Sequence, residues 1–383
     1  QNAPMIGSLK VIFDLPAVVI NLLITYLVYR GTKESKNFSN AMVYIKLAII
    51  ILVIVVGAFY VDIDNWTPFM PNGFGGVMAG VSAVFFAYIG FDAVSTLAEE
   101  SKNPQRDLPK GMIYSLVICT IVFVVLALVI TGMVSYELLG VSDPLAEIFA
   151  LKGVKWMLFI VSIAAVVAMT SVLLVFQMGQ PRIWMTMSRD GLMPKKFAEI
   201  HPKYKTPSFA TIVTGLVVGL PIFFTDENFV LDFTSIGTLF AFVLVCSGVL
   251  MLSPQSEEEL AERATKGKFR IPYVNSKFIF PVLVAVSIFL IVTFVPGFFT
   301  ETFDFSDDKI AKNIPMVVFF ILIAVMLVLS FTKNLSLIPL LGLVSCCYLL
   351  TGMAVSNWMW FGVWIIIGLI FYFVYGYKNS KLN

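Results

Sequence analysis

Charge is scarce in this chain, and histidine is scarcer. Asp, Glu, Lys and Arg make up 13% of the 383 residues, hydrophobic residues make up 59%, and the mean hydropathy is +0.92. A soluble domain does not carry that balance, so the composition reads as an all-α polytopic membrane protein. One histidine and four cysteines are the whole stock of imidazole and thiolate ligands. Cys119, Cys246, Cys346 and Cys347 lie in apolar runs with no ligand or redox spacing, and read as small buried hydrophobes. His201 stands beside Pro202 in a basic loop, the place of a solvated residue rather than of a ligand. No Ser–His, Cys–His or metal-ligand set can be assembled from these residues, so no enzyme is expected. Neither is a nucleic-acid partner. A cleavable signal is also absent, and none is needed where an internal span can direct insertion.

What is abundant is apolar run. Segments long enough to cross a bilayer fall near 12–30, 40–60, 76–99, 112–135, 154–184, 207–224, 229–252, 277–297, 313–331, 336–354 and 357–377, about eleven in all. The connections after the odd-numbered spans up to the ninth, together with the C-terminal tail, hold 20 of the 26 Lys and Arg residues. Lys10, Lys152, Lys155, Lys309 and Lys312 are the 5 on the other side, and Lys46 is inside a span. This positive-inside bias places the C-terminus in the cytoplasm and Gln1 outside. Gln1 in place of an initiator Met suggests a chain truncated at its start. A cytoplasmic natural N-terminus would then require an odd number of missing helices.

One stretch breaks the pattern. From Gly76 to Gly111 an apolar helix is interrupted at Gly90, followed at once by Phe91 and Asp92, and ends in Glu99, Glu100 and the charged loop from Lys102 to Lys110. A broken helix at membrane depth frees backbone groups that lipid cannot satisfy, so it survives where it lines a cavity. Transporters use such breaks as binding sites. The plain alternative is that Gly90 only lets a neighbouring helix pack closely. Asp92 favours the site, since an acid inside a span is costly. Its own plain alternative is an N-cap, accepting from the N–H of Val94 or Ser95.

Two further spans carry polar residues. Lys46 is about two turns from the cytoplasmic end of its span, where its stem could snorkel to the headgroups or its amine could sit buried and exchange a proton. Thr170 and Ser171 are adjacent hydroxyls in the fifth span, which either bond back to their own helix or face a site. Arg182, Arg189 and Asp190 mark that span's end, with Gly191 and Pro194 as stop signals.

Phe85–Gly111, FFAYIGFDAVSTLAEESKNPQRDLPKG, resembles the sixth helix and following loop of permeases in the amino acid–polyamine–organocation superfamily, in particular the cationic amino acid transporter branch and its bacterial relatives. Gly179–Arg182 with Ser188–Pro194 is similar to the end of that family's eighth helix, and Ser235–Phe242 to its tenth. The resemblance covers essentially the whole chain. It implies a LeuT-like fold, an inverted repeat of five plus five helices, here lacking its first three. Residues 1–75 would hold the last two helices of the first repeat, 76–253 the second repeat, and 254–383 four additional helices, the fourteen-helix layout.

The resemblance also implies a mechanism. The broken helix, Phe86, Ala87, Tyr88, Ile89 and Gly90, would hold the substrate's ammonium group on its carbonyls, with Phe86 as lid. Met169 and Thr170 would border the side-chain end of the pocket. Lys46 falls on the lysine of proton-coupled members, and Asp92 is the second candidate for proton coupling. Glu99 and Arg182 would serve the cytoplasmic gate. Pro181 departs from the small hydroxyl residue usual at its position and is expected to kink the helix end. No cofactor is implied, the proton being the coupling ion. The partners are an amino acid and the lipid bilayer, with a small membrane-protein partner left open, and the location is a cell membrane, as in the bacterial inner membrane.

The expected function is therefore secondary active import of amino acids with protons. Within the class the alternatives are an exchanger or a carrier of arginine and lysine. Asp92 is the one acid read in these helices, which leans towards small neutral substrates. A transporter-like sensor is the alternative of another class, and the short loops leave it no signalling domain. With the first helices absent, half of the pocket would be missing and the chain as given is expected not to transport.

Overall fold

The computed structural model describes residues 5–6, 9–10, 15–31, 35–95, 101, 103–141, 143–225, 227–252, 272–295, 297–303, 306 and 310–381. Nearly all of them are helical, apart from a two-residue antiparallel ladder pairing Met5–Ile6 with Leu9–Lys10. Each expected span has a helix. In chain order these are α1 (Leu15–Arg30), α2 (Ser35–Ala58), α3 (Gly73–Val84), α4 (Pro104–Met133), the short α5 (Pro144–Leu151), α6 (Lys155–Arg189), α7 (Ser208–Gly219) and α8 (Glu227–Leu252). Then come α9 (Ser276–Phe294), the short α10 (Phe298–Thr302), α11 (Ile310–Thr332), α12 (Leu337–Thr351) and α13 (Val355–Phe371). Among the described residues, 7 helices are long and apolar enough to span a bilayer, with shorter apolar helices at Leu15–Arg30, Phe85–Ser95, Ser208–Phe223 and Leu337–Thr351.

The boundaries differ from the expected ones for local reasons. The charged run before the fourth span is not a loop: Pro104–Lys110 forms the first two turns of α4. Pro104 stands at the first helical position, where a missing N–H costs nothing, and Asp107 in the first turn complements the helix dipole. Another helix, α5, stands in the connection between the fourth and fifth spans. Asp143 caps it, its carboxylate accepting from the Ala146 N–H at 3.3 Å, and Pro144 opens it. Ile148 and Phe149 of α5 are buried in a core with Val53, Val129, Met133, Met157 and Val161, which joins α2, α4 and α6.

A polar seam joins α1, α6 and α7. The Asn21 amide donates to the Gly215 carbonyl at 3.0 Å, and the Gln177 amide donates to the Thr25 hydroxyl at 2.9 Å. Thr25 in turn donates to the Asn21 carbonyl at 2.7 Å. Asn21 and Gln177 are both buried. A buried polar group is tolerated when bonded, and here the bonds fix which faces meet. α6 runs without interruption through Pro181, which is itself buried.

Candidate functional site

The break forms where the sequence places it. α3 tightens into a 3-10 turn over Phe85–Tyr88, and Ile89 is extended at φ −61° and ψ 131°. Gly90 then adopts φ +124°, a conformation that L side chains rarely take. A Cβ there would meet only the Phe176 ring edge of α6, at 3.8 Å, so it is the backbone that requires glycine and not the space.

The turn is held by short-range bonds. The Ile89 N–H donates to the Phe86 carbonyl at 3.1 Å and the Ala93 N–H to the Gly90 carbonyl at 3.1 Å. Asp92 does not cap a following helix as expected: its carboxylate accepts from the preceding Gly90 N–H at 3.2 Å and not from Val94 or Ser95. The Ser95 hydroxyl instead donates to the Asp92 carbonyl at 2.6 Å. With positive φ at Gly90, the N–H donor to Asp92 comes from the turn itself, where the expected second half-helix would have supplied its first-turn amides. Glu99 lies outside the described residues.

Aromatic rings enclose the break from neighbouring elements. Phe242 of α8 lies 6.4 Å from Phe85 and 5.5 Å from Phe91, ring centre to ring centre. Tyr88 meets Phe123 of α4 edge to face at 5.4 Å. Phe86, the expected lid, is 37% exposed. Phe176 and Phe242 thus join Phe86, Ala87, Tyr88, Ile89 and Gly90 at the site, although neither was singled out in the sequence. Only the position of Phe242 inside the Ser235–Phe242 motif hinted at it.

Lys46 and the hydroxyl pair resolve differently. The Lys46 amine donates to the Ser171 hydroxyl at 2.9 Å, across from α2 to α6. The lysine is half-buried and Ser171 is buried. Its amine therefore stops at a neighbouring helix where snorkelling would have carried it to the membrane edge. Thr170 turns away, donating to its own Val166 carbonyl at 2.8 Å. Met169 is 72% exposed, on the face of α6 opposite the buried Ser171, Leu174 and Gln177, and is not brought to the break. Arg182 is half-buried near the end of α6, one residue after Pro181.

Asp92 is not the one acid to be read in the helices, and Asp232 corrects that reading. Asp232, in the second turn of α8, accepts from the amide of the buried Asn357 of α13 at 2.8 Å. An apolar cavity of about 430 Å³ lies among α11, α12 and α13, lined by Phe319, Cys347, Leu350 and Trp358 among others. It is remote in sequence from the break and has almost no polar lining with which to hold a charged substrate.

The family model for amino acid permeases matches residues 10–323, and the model for the C-terminal part of such permeases matches residues 335–380. The branched-chain amino acid permease BcaP of Bacillus subtilis (strain 168) is 37% identical over 97% of the chain and 66% of its own length. A methylthioribose transporter of the same organism is 36% identical over the same shares, 97% and 66%. Cationic amino acid transporter 9, chloroplastic, of Arabidopsis thaliana is 40% identical over 65% of the chain and 44% of its own length. The chain thus spans 66% of the length of the two bacterial relatives, and its own helices carry the family's pattern from residue 10 onward. With a broken helix set between α6 and α8 and a family match over most of its length, the chain belongs to the amino acid permease family.

Proposed function

We propose that this chain is the larger part of a secondary active transporter that imports amino acids together with protons by alternating access. The carrying observation is the 2.9 Å link from the Lys46 amine to Ser171, because it ties α2 to the helix that packs against Gly90. A charged amine favours that bond, and loss of the proton weakens it, since hydrogen bonds from an ionised donor are about twice as strong as neutral ones. The helix that backs the break would then respond to the proton on Lys46. Phe86–Gly90 binds the substrate ammonium group, with Phe86 over it and Phe176 and Phe242 walling the turn. Asp92 in this reading positions the turn, and Met169, Thr170, Arg182 and Glu99 act only in a state where they face the pathway.

The organisation proposed for the chain keeps residues 1–75 with a first repeat, 76–253 as a second, and 254–383 as additional helices. The C-terminus lies on the cytoplasmic side of a cell membrane, in keeping with the Lys and Arg bias of the loops. A carrier of arginine and lysine is the second reading, favoured by the likeness to cationic amino acid transporter 9 and by the additional acid Asp232.

The test is uptake by the intact protein in proteoliposomes, using radiolabelled L-isoleucine, L-alanine and L-arginine with and without an inward proton gradient. Gradient-driven accumulation of any of the three supports proton-coupled import. Uptake only against a preloaded amino acid, indifferent to the gradient, would make the protein an exchanger.

A further inference from the structure

The motif Ser188–Pro194 at the end of α6 has no part in the site described above, yet it is tightly built. The Gly191 N–H donates to the Ser188 carbonyl at 3.1 Å, the Leu192 N–H to the Met187 carbonyl at 2.9 Å, and the Ser188 hydroxyl to the Pro194 carbonyl at 2.8 Å. Gly191 has φ +87°, and a Cβ built on it would run into the carbonyl oxygen of Asn379. The Lys381 N–H donates to the Asp190 carbonyl at 3.0 Å. Gly376 packs on Leu192, where a Cβ would lie 3.6 Å from the Leu192 carbonyl oxygen. The turn is therefore a seat for the C-terminal tail, with glycine on both sides of the contact.

That tail continues α13. The helix runs from Val355 to Phe371, passes through a π-helical turn over Tyr372–Gly376, and ends at Tyr377–Asn379. Its other end is anchored on α8, where Asn357 donates to Asp232 at 2.8 Å. Around that bond, Trp360 meets Phe229, Trp364 meets Phe233 and Phe361 meets Phe240, with ring centres 6.2, 6.3 and 5.2 Å apart. Between the two anchors the helix covers about 30 Å, the thickness of a bilayer's hydrocarbon, at roughly 1.5 Å per residue.

We infer that α13 and its tail form a strut that ties the C-terminal end of α6 to the first turns of α8, and so fixes the spacing of the two helices that flank the break. α6 reaches the break through Phe176, whose ring edge lies 3.8 Å from where a Cβ on Gly90 would stand, and α8 meets it through Phe242 at Phe85 and Phe91. Asp232, Asn357 and Gly191 are positioning residues, acting on the site through the helices they join. The inference stands on these contacts and does not depend on what the protein transports.

The test measures the α6–α8 distance in the intact protein in nanodiscs. Spin labels go on Ile183→Cys and Met251→Cys, both exposed, with the four native cysteines changed to Ala. A single narrow distance distribution is expected for the parent. Truncation after Gly376, Gly191→Val and Asn357→Leu are each expected to broaden or displace it. Pairing Asn357→Leu with the truncation is expected to add nothing further, because a strut freed at one end no longer transmits from the other.

Asn357→Asp sets two carboxylates face to face and is expected to broaden the distribution, while the exchange Asp232→Asn with Asn357→Asp restores it. That rescue would assign the effect to the bond between α13 and α8 and not to packing by Asn357 alone. If the truncated protein does not fold, Lys381→Pro carries the same expectation, since it removes the N–H that donates to Asp190 while keeping the tail. A parent-like distribution in the folded tail variants, additive effects of the two ends, or failure of the exchange to restore the distance would overturn the strut.

Discussion

Gly90→Ala makes the sharpest demand on the broken segment. At φ +124° an alanine has two courses. It can keep the turn and bear backbone strain of about 1–3 kcal/mol. Or it can return to negative φ, which rotates the Gly90 N–H away from Asp92 and the carbonyl away from Ala93, bonds of 3.2 and 3.1 Å. Two such bonds at about 0.5–1.5 kcal/mol each amount to a similar loss. Steric crowding contributes nothing, because the nearest atom, Phe176 Cζ, would be 3.8 Å from the new methyl.

If the substrate binds to this turn, an alanine that relaxes loses affinity, about 1–3 kcal/mol being roughly 5–150-fold at 1.4 kcal/mol per tenfold, whereas an alanine that keeps the turn loses a similar amount of folding stability. The assay is binding of the transported amino acid to the intact protein, with thermal unfolding measured in parallel. Gly237→Ala is the control, a helical glycine whose Cβ would meet nothing within 4 Å, so the change is neutral or stabilises by up to about 1 kcal/mol. Wild-type affinity together with wild-type stability in Gly90→Ala, or an equal loss in Gly237→Ala, would refute the reasoning.

Other consequences can be measured on the same preparation. Ser171→Ala strips the half-buried Lys46 amine of its acceptor and is expected to lower thermal stability by about 0.5–1.5 kcal/mol, the net worth of a hydrogen bond, whereas Ser171→Thr keeps the hydroxyl and most of the stability. Gly215→Ala drives a methyl to within 2.6 Å of the Thr25 side chain and parts α1 from α7, for about 1–3 kcal/mol of overpacking in denaturant or thermal unfolding. Tyr273 donates to the Asn334 carbonyl at 3.0 Å, and burial raises the pKa of its phenol. Because the folded state holds that proton more tightly, its stabilising effect is full below the ordinary tyrosine pKa of about 10 and fades as pH rises through the raised value. Tyr273→Phe is expected to remove that alkaline dependence from a stability-versus-pH profile.

Much of this was legible in the sequence because the bilayer writes it plainly. Apolar length gave a helix at every expected span, and the interruption at Gly90 gave the broken turn, since no other residue type marks a positive φ so directly. The pairing of α2 with α6 was not legible. Lys46 and Ser171 are 125 residues apart, and only packing decides that Ser171 faces the amine while its neighbour Thr170 faces its own helix. The contribution of Phe176 and Phe242 was hidden for another reason: with 35 phenylalanines in the chain, no single ring stands out until its neighbours are known. Asp232 went unread for lack of context, because an acid near the start of a span looks like a helix end until Asn357 is found against it. The start of α4 was misjudged because charge was weighed above capping, although Pro104 and Asp107 are good first-turn residues.

The proton on Lys46 is the centre of the account, and one comparison tests it most directly: amino-acid accumulation driven by an inward proton gradient in proteoliposomes of the intact protein and of its Lys46→Ala variant. Accumulation in the parent and its loss in the variant, with exchange of preloaded amino acid still intact, is the expected result. Gradient-driven accumulation at parental rates in Lys46→Ala would contradict it, and would reduce the bond to Ser171 to packing.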